Sequence, residues 1–388
     1  MKLLLPAGCA GLAVLCATAG AGARIAFSLD YSLDVGGIFG PGSSSGRSAQ
    51  AAMDRAAQVF SDRLLDRLTP ITPGGDDTWS PHVINPGTGL DSAAPLTIIA
   101  VNVIKVYVGS RSLSATEVGS TVAGFATVGG SQAFMDNALS RGQAGALASP
   151  KTDVGPWGGS IAFDTGTNWY FGATTGGLTA NKIDFQTVAT HEFEHLLGFS
   201  SSQPSWAALV SAGKFTGPKA AATNGGIAPS VTGSHWLGMS STVGPTGPSQ
   251  VALMDAGVPT GVRRRMTQLD WAALDDLGWE LAMPGDANAD GMINFLDFQA
   301  IEIGFGETNS RWSHGDFNED GMVDSADLAL LIKNYGKRSD GTFAPRATAD
   351  EQTLAAFGAG VNVPEPAGLF IFGIALLFIN RAGRRAIR

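Results

Sequence analysis

Cysteine is nearly absent from this chain of 388 residues, which holds only two. Both, Cys9 and Cys16, lie near the N-terminus, inside an apolar stretch that follows Lys2 and ends in small residues at 19–23. This pattern predicts a secretory signal peptide over residues 1–23, and a buried N-terminal helix is the alternative. Because removal of the signal leaves no cysteine, we expect no disulfide, thiolate metal site or cysteine nucleophile in the mature protein.

Basic residues are also scarce, since 25 Lys and Arg stand against 34 Asp and Glu, for a net charge of −9. No basic stripe is available to neutralise phosphates, so the composition argues against nucleic-acid binding and suits cation binding better. The 52 glycines and 19 prolines stay below the roughly 25–30% of residues that marks low-complexity chains. The length therefore allows one large globular domain with smaller attachments.

The C-terminus carries a second segment with the features of a targeting signal. Residues 363–366, Val-Pro-Glu-Pro, precede an apolar run over 367–379, and four arginines follow it. The run is shorter than the roughly 20 residues of a membrane-spanning helix. These three parts in order resemble the PEP-CTERM sorting signal. The resemblance implies an exosortase-type processing enzyme, transient membrane contact through this segment, and export to the cell envelope or beyond in a Gram-negative bacterium. A plain membrane anchor is the alternative.

Between the termini, the apolar pattern predicts a twisted sheet with helices packed on it. Strand-like stretches cover residues 24–29, 96–103 and 159–164, and apolar residues at helical spacing cover 48–68. A further helix begins with Asp184 as its N-cap and ends at Gly198, where a left-handed residue belongs. This mixture predicts the α+β fold class.

The helix that begins at Asp184 contains the sequence His191-Glu192-Phe193-Glu194-His195. Histidines four residues apart lie on one face of a helix, so both can bind one zinc ion. Glu192 points to the side of His191, where it can hold a water on the metal instead of the metal itself. A helix surface with a histidine pair and no metal is the alternative.

A catalytic zinc site needs a third protein ligand and an open position for water. Ten residues after the first histidine, at the metzincin spacing, the chain has Ser201, and no Asp or Glu occurs over residues 196–254. Of the histidines left, His82 lies in a proline-bearing loop and His314 in a calcium-type loop. Elimination therefore favours His235, and a histidine packed in the core is the alternative.

The stretch over residues 184–279 resembles the leishmanolysin branch of the metzincin zinc peptidases. It has the helix motif, a long insert, Ser234-His235-Trp236, then Leu253-Met254, and Leu274-Asp275-Asp276-Leu277-Gly278-Trp279 at its end. The resemblance implies three zinc ligands, a general base and an apolar floor beneath the metal, which are His191, His195 and His235, Glu192, and Met254. It also implies an endopeptidase that acts on a peptide or protein substrate. A shorter insert and the lack of cysteine distinguish the chain from leishmanolysins proper.

The N-terminal order of elements is similar to the upper half of metzincins. On that resemblance, residues 158–163 form the edge strand on which substrate lies as an added antiparallel strand. An ordinary central strand is the alternative.

From Gly285 the sequence changes to two copies of a calcium-loop pattern. The ligands of such a loop stand at positions 1, 3, 5, 7, 9 and 12, with glycine at position 6. They are Asp286, Asn288, Asp290, Met292 (backbone carbonyl), Asn294 and Asp297, and then Asp316, Asn318, Asp320, Met322 (backbone carbonyl), Asp324 and Asp327. Each loop is followed by a stretch of sequence that predicts a helix, over residues 298–303 and 328–335. Asp at position 12 makes the pair resemble a type I dockerin, which implies calcium binding and a cohesin-like partner. A calcium-stabilised spacer, or a pair of turns without metal, is the alternative.

These patterns predict a signal peptide at 1–23, a zinc metalloprotease domain with a helical lower half at 24–282 and a small all-α dockerin-like module at 284–336. A linker at 337–362 and the sorting segment at 363–388 follow. The predicted function is that of an exported zinc-dependent endopeptidase with Glu192 as general base and with zinc and calcium as cofactors. The alternatives are a non-catalytic cell-surface protein with a structural zinc site and calcium-dependent partner docking, and a zinc hydrolase of other bonds. Glu192 separates the predicted endopeptidase from the non-catalytic surface protein, because a structural zinc site has no use for a carboxylate beside an open coordination position.

Overall fold

The structure is a computed structural model that describes residues 24–343 and residue 352. The predicted signal peptide, the predicted sorting segment and most of the predicted linker lie outside these residues. Within the described part, no helix is long and apolar enough to cross a membrane.

The described residues form helices and small sheets in mixed order, which confirms the α+β class. The α-helices are α1 (Ser44–Ser61), α2 (Gln132–Ser140), α3 (Phe185–Leu196), α4 (Pro204–Leu209), α5 (Pro218–Thr223), α6 (Gln268–Asp276), α7 (Phe295–Gly304) and α8 (Ser325–Asn334). The strands are β1 (Ala26–Asp30), β2 (Thr78–Ile84), β3 (Asp91–Ala93), β4 (Val103–Arg111), β5 (Gly119–Ala123), β6 (Phe125–Gly129), β7 (Gly158–Asp164), β8 (Trp169–Tyr170), β9 (Ile183–Asp184), β10 (Val210–Ser211), β11 (Lys214–Phe215), β12 (Val231–Thr232), β13 (His235–Trp236), β14 (Ser240–Thr242) and β15 (Ser249–Val251).

A four-stranded sheet in the order β1-β4-β7-β5 carries the first half of the fold. β1, β4 and β7 run parallel, and β5 pairs antiparallel with β7, so that Thr121 lies opposite Ile161. β7 is therefore a central strand, and the expectation that residues 158–163 form the edge for substrate is wrong. The reason is that β7 pairs with β4 on one side and with β5 on the other, and β5 is a strand that the sequence analysis did not predict. The edge strand beside α3, the helix that carries His191 and His195 and is called the zinc helix below, is β5.

β4 also corrects the predicted strand over residues 96–103. The strand begins only at Val103, directly after Asn102, whose left-handed backbone (φ 55) turns the chain. Ile98 and Val101, which made the earlier stretch look like a buried strand, have exposed fractions of 58% and 57%. A β-branched run predicts a strand only where the sheet covers it, and here the turn precedes the sheet.

Helices α1 and α3 pack together against the sheet. Ser43 caps α1 by accepting the N–H of Gly46 at 2.9 Å, so the helix starts earlier than the predicted 48–68 and ends at Ser61. The rings of Phe27 and Phe60 lie 5.0 and 6.1 Å from that of Phe193 on α3. Such edge-on and tilted pairs add to the stabilisation from apolar burial, and they fix the zinc helix on the sheet.

Three hairpins and three helices complete the protease region. The chain after α3 makes α4, the hairpin β10–β11 and α5, then the hairpins β12–β13 and β14–β15, and then α6. Thr267 and Asp270 form the predicted capping box of α6, and Gly278 (φ 108) follows its end. A large buried core runs from the sheet through α3 to α6 and includes Trp236 and Trp279.

The C-terminal region has a core of its own around α7 and α8. Phe298, Ile301, Phe317, Leu328 and Leu331 are buried there together. Both helices begin three residues before the predicted 298 and 328, because the residue at loop position 9 acts as an N-cap and the carboxylate at position 12 completes a capping box. The two calcium-type loops are thus joined rigidly to their helices.

Candidate metal centre and active site

A buried carboxylate holds the start of the zinc helix. Asp184 accepts hydrogen bonds from the backbone N–H (3.0 Å) and the hydroxyl (2.8 Å) of Thr187, which satisfies a donor that the helix end leaves open. Arg263 donates to its two carboxylate oxygens at 2.9 and 2.7 Å. At the other end, Gly198 has the predicted positive φ, of 113°. The helix that carries the histidines is therefore fixed at both ends.

Three histidines converge on one point. The possible ligand atoms of His191, His195 and His235 all lie within 4.8 Å of one another. The Nδ1 atoms of His191 and His195 lie 2.9 Å from the carbonyl oxygen of Leu253 and 2.6 Å from that of Phe199. A carbonyl only accepts, so each Nδ1 carries the proton and each Nε2 keeps a lone pair for a metal.

The geometry and charge of this cluster fit zinc. Two nitrogens bound to a tetrahedral zinc at about 2.0–2.1 Å lie about 3.3 Å apart, and the Nε2 atoms of His191 and His235 are 3.2 Å apart. Burial, followed by the charges of the two neighbouring histidines, lowers the pKa of His191 well below its ordinary value. Burial also lowers the pKa of His195 to about 4. Both rings are therefore neutral at pH 7, the form that binds a metal.

Glu192 lies beside the histidines and is held by the edge strand. The hydroxyl of Thr121, on β5, donates to Glu192 Oε2 at 2.7 Å and lies 3.0 Å from the Glu192 backbone carbonyl. Burial raises the pKa of Glu192 to about 7, and the bond from Thr121 opposes that rise. Gly119 approaches closely, since a Cβ there would lie 2.4 Å from Glu192 Oε1. Glu192 and the three histidines line one cavity of about 250 Å³ together with residues 116–121.

A second buried carboxylate supports the third histidine and the predicted methionine segment. Asp270, at the start of α6, accepts the N–H groups of Leu253 (2.9 Å) and Met254 (3.3 Å) and the indole N–H of Trp236 (2.8 Å). Trp236 directly follows His235, and the Leu253 carbonyl is the partner of His191. Met254 is fully buried. One side chain thus fixes the surroundings of two of the three histidines.

The two calcium-type loops fold in the same way. In each loop the carboxylate at position 1 accepts the N–H of the glycine at position 6, at 3.0 and 2.9 Å. The carboxylate at position 12 accepts the N–H groups at positions 2 and 3. Asparagine at position 3 bonds the Asp at position 5, which accepts the N–H of Met292 or Met322 at position 7. Asn294 and Asp324, at position 9, are the N-caps of the following helices.

The acidic groups of these loops fit a hard cation. Burial is the first cause that raises the pKa of Asp286 to about 6, of Asp297 to about 7, of Asp316 to about 8 and of Asp327 to about 6. Neighbouring carboxylates add to the rise in all four, so each loop concentrates negative charge. Asp316 Oδ1 is buried and has no hydrogen-bond partner among the described residues. Calcium prefers carboxylate, amide and carbonyl oxygens of this kind.

Family comparisons agree with both metal sites. Residues 125–220 match the family model for matrixin. Residues 284–336 match the dockerin type I domain. These matches indicate, at the level of the domains, a zinc metallopeptidase of the metzincin family with a calcium-binding dockerin module, so zinc and calcium are the cofactors. No curated protein and no solved structure matches the chain.

The matrixin-like region departs from the metzincin spacing at the third ligand. The match includes His191 and His195 but ends before His235. Ser201, at the tenth position after His191, donates its backbone N–H to Ser234 Oγ at 2.8 Å. The residue where the spacing has a histidine therefore touches the residue that precedes His235. His235 joins the histidine cluster from a segment of the chain that lies beyond the matched region.

The sequence interpretation missed three polar side chains around the site. Thr121 holds Glu192, but a threonine in a short strand carries no signal for a partner 71 residues away. Asp270 was recognised only as a helix cap. Glu194 was not assigned a role: it is fully buried, both its carboxylate oxygens lack a partner among the described residues, and burial followed by the charge of Asp270 raises its pKa well above the ordinary value.

Proposed function

We propose that the protein is an exported zinc endopeptidase in which Glu192 is the general base. The observation that carries the proposal is the place of Glu192, in the same cavity as three histidines but outside their cluster. A zinc ion with three protein ligands keeps a fourth position for water, and a carboxylate next to that position has a chemical use only in catalysis.

The mechanism divides the work between the metal and Glu192. His191, His195 and His235 would hold the zinc ion, which would supply a Lewis acid and make water a stronger acid at the site. The Thr121 hydroxyl occupies Glu192 Oε2, so Oε1 is the oxygen that is available for proton transfer. Glu192 accepts a proton from the attacking water and gives it to the leaving amine. Burial raises the pKa of the Glu192 carboxyl above its ordinary value, which makes the carboxylate a stronger base for the first step and the acid form easier to populate for the second.

Strand β5 is the proposed position for the substrate backbone. It is the edge of the main sheet, and its residues Gly119, Ser120 and Thr121 line the cavity. An edge strand presents backbone N–H and C=O groups that an extended peptide can pair with. A peptide added along β5 brings a backbone carbonyl close to Glu192, which favours peptides over other hydrolase substrates.

Several finer assignments belong to the same proposal. We assign the protease domain to residues 24–282, the dockerin-like module to 284–336 and the linker to 337–362. Met254 is the apolar floor of the zinc site, and a third histidine that arrives after an insertion supports a place near the leishmanolysin branch. The twelve loop residues named above are the calcium ligands. The terminal signals direct export to the envelope of a Gram-negative bacterium with exosortase-type processing, and a cohesin-like protein is the partner of the module.

The proposal is tested with the full-length chain loaded with zinc and calcium. Cleavage of a mixed peptide library is measured for the parent and for Glu192→Gln, with Glu302→Gln on the exposed side of α7 as a charge-matched control. We expect Glu192→Gln to keep one zinc per chain and to lose activity by about 10²–10⁴-fold, as for removal of a general base. Absence of cleavage by the parent with one zinc bound would instead favour the non-catalytic surface protein.

A further inference from the structure

The second calcium loop packs against the protease region through Glu319. Its carboxylate forms a 3.0 Å ion pair with Arg63, and the two side chains have exposed fractions of only 15% and 7%. The guanidinium of Arg63 lies between the rings of Trp271 on α6 and Trp312 in the module, 4.1 and 4.2 Å from their centroids. Arg265 donates a further hydrogen bond to the backbone carbonyl of Glu319. Glu319 is thus enclosed by residues of the protease region.

This side-chain contact distinguishes the second loop from the first. Glu319 stands at position 4 of the second loop, and Ala289 stands at position 4 of the first. Both have the same left-handed backbone, with φ of 59° and 54°, but alanine presents no charge. The first loop meets the protease region through Arg24, which donates to the backbone carbonyls of Ala287 and Asn288. The two loops therefore offer a matched comparison within one chain.

The position of Glu319 depends on the closure of its loop. Glu319 lies between Asn318 and Asp320, two of the proposed calcium ligands, so it moves with the ligand backbone. Asp316 and Asp327 are buried in the same loop, and the Asp316 oxygen that accepts no hydrogen bond within the described part of the chain is suited to a bound cation. Without calcium, repulsion among these carboxylates opposes the closed loop and hence the contact that Glu319 makes.

Trp271 connects this contact to the zinc centre. Its indole N–H donates to Glu319 Oε2 at 3.2 Å, and it directly follows Asp270 in the first turn of α6. The carboxylate of Asp270 holds both the backbone segment that bonds His191 and the indole that follows His235. A series of hydrogen bonds and short backbone links therefore joins the second calcium loop to His191 and His235.

We propose that the second calcium loop is a structural metal site of the protease region, and that calcium bound there and zinc bound by the three histidines strengthen each other's binding. Calcium fixes Glu319, which fixes the first turn of α6, and Asp270 then holds the zinc ligands in their binding geometry. Such coupling is reciprocal, and typical values change affinity by about 5–150-fold. The proposal rests on the two metal sites and does not require that the protein be a peptidase.

The test measures zinc affinity of the full-length chain by competition with a chromophoric zinc chelator, with and without calcium. We expect zinc to bind at least about 5-fold more tightly when calcium is present. Asp316→Ala, which removes position 1 of the second loop, should abolish this difference, and the matched Asp286→Ala in the first loop should retain it. Equal zinc affinity in both conditions for the parent, or equal loss in both loop variants, would overturn the proposal.

A second variant separates the connection from loop closure. Trp271→Phe keeps the ring beside Arg63 but removes the N–H that bonds Glu319, and it leaves every proposed metal ligand in place. We expect calcium and zinc each to bind this variant, by calorimetry of each metal alone, while the calcium effect on zinc affinity falls toward 1-fold. Full retention of the effect in Trp271→Phe would refute the route through α6.

Discussion

Asp184→Ala is the substitution whose effect on stability follows most directly from the structure. The Asp184 carboxylate has no exposed surface and accepts four hydrogen bonds, two from Thr187 and two from Arg263. Loss of an N-cap removes about 0.5–2 kcal/mol of stability. Loss of one partner of a buried ion pair removes about 3–5 kcal/mol, because the other charge stays buried. Since one carboxylate serves both roles, the losses overlap, and we expect the free energy of unfolding to fall by about 3–5 kcal/mol.

Equilibrium urea unfolding, followed by circular dichroism in a chelator, measures this effect without a contribution from bound metal. Arg263→Met is the matched variant, because it removes the ion pair but leaves the cap to Thr187. The double variant Asp184→Ala/Arg263→Met should lose less stability than the sum of the losses in Asp184→Ala and Arg263→Met, since no unpaired charge is left buried. A loss of stability below about 1 kcal/mol for Asp184→Ala would refute the argument that the Arg263 charge stays buried without a partner in this variant.

Three further outcomes follow from the site and the core. His235→Ala should weaken zinc binding by at least about 10-fold in calorimetry, whereas a histidine that only packs in the core would leave the affinity unchanged. Thr121→Val should lower kcat with KM nearly unchanged, because it releases Glu192 without touching the zinc ligands, and Thr121→Ser should restore most of the rate. Burial raises the pKa of Asp66 to about 7 in the folded state, so the folded protein is progressively destabilised as pH rises from about 4 to 7. Asp66→Asn should therefore stabilise the protein above pH 7 and give little gain near pH 4 in urea unfolding.

The zinc helix could be predicted in detail because its signals are local. The cap at Asp184, the two histidines on one face and the glycine at its end all act within a few residues of one another. The same holds for the calcium loops, where the carboxylates at positions 1 and 12 accept backbone N–H groups of their own loop. Local chemistry of this kind is written in the order of residues and needs no knowledge of the rest of the fold.

The sheet order could not be predicted, because strand pairing joins distant segments. The run over residues 96–103 has a strand-like composition but lies before a turn, and the true strand β4 begins at Val103. It pairs with one side of β7, and β5 pairs with the other side, so β7 is central and β5 is an edge of the sheet. The hydrogen bond from Thr121 to Glu192 follows from that order. Because the sequence analysis chose the wrong edge strand, it also failed to predict the contact of Thr121 with Glu192.

The hydrogen bonds between Ser201 and Ser234 bear on how this chain can change over evolution. Residues 202–233 lie between these two serines, so the segment begins and ends at nearly the same place. The turn at Gly213 and the exposed Ile227 lie in exposed parts of this segment, where added residues disturb little buried backbone. Insertions and deletions there would leave His235 in place. Related sequences are therefore expected to vary in length between their second and third zinc ligands, and a search that demands a fixed spacing will overlook them.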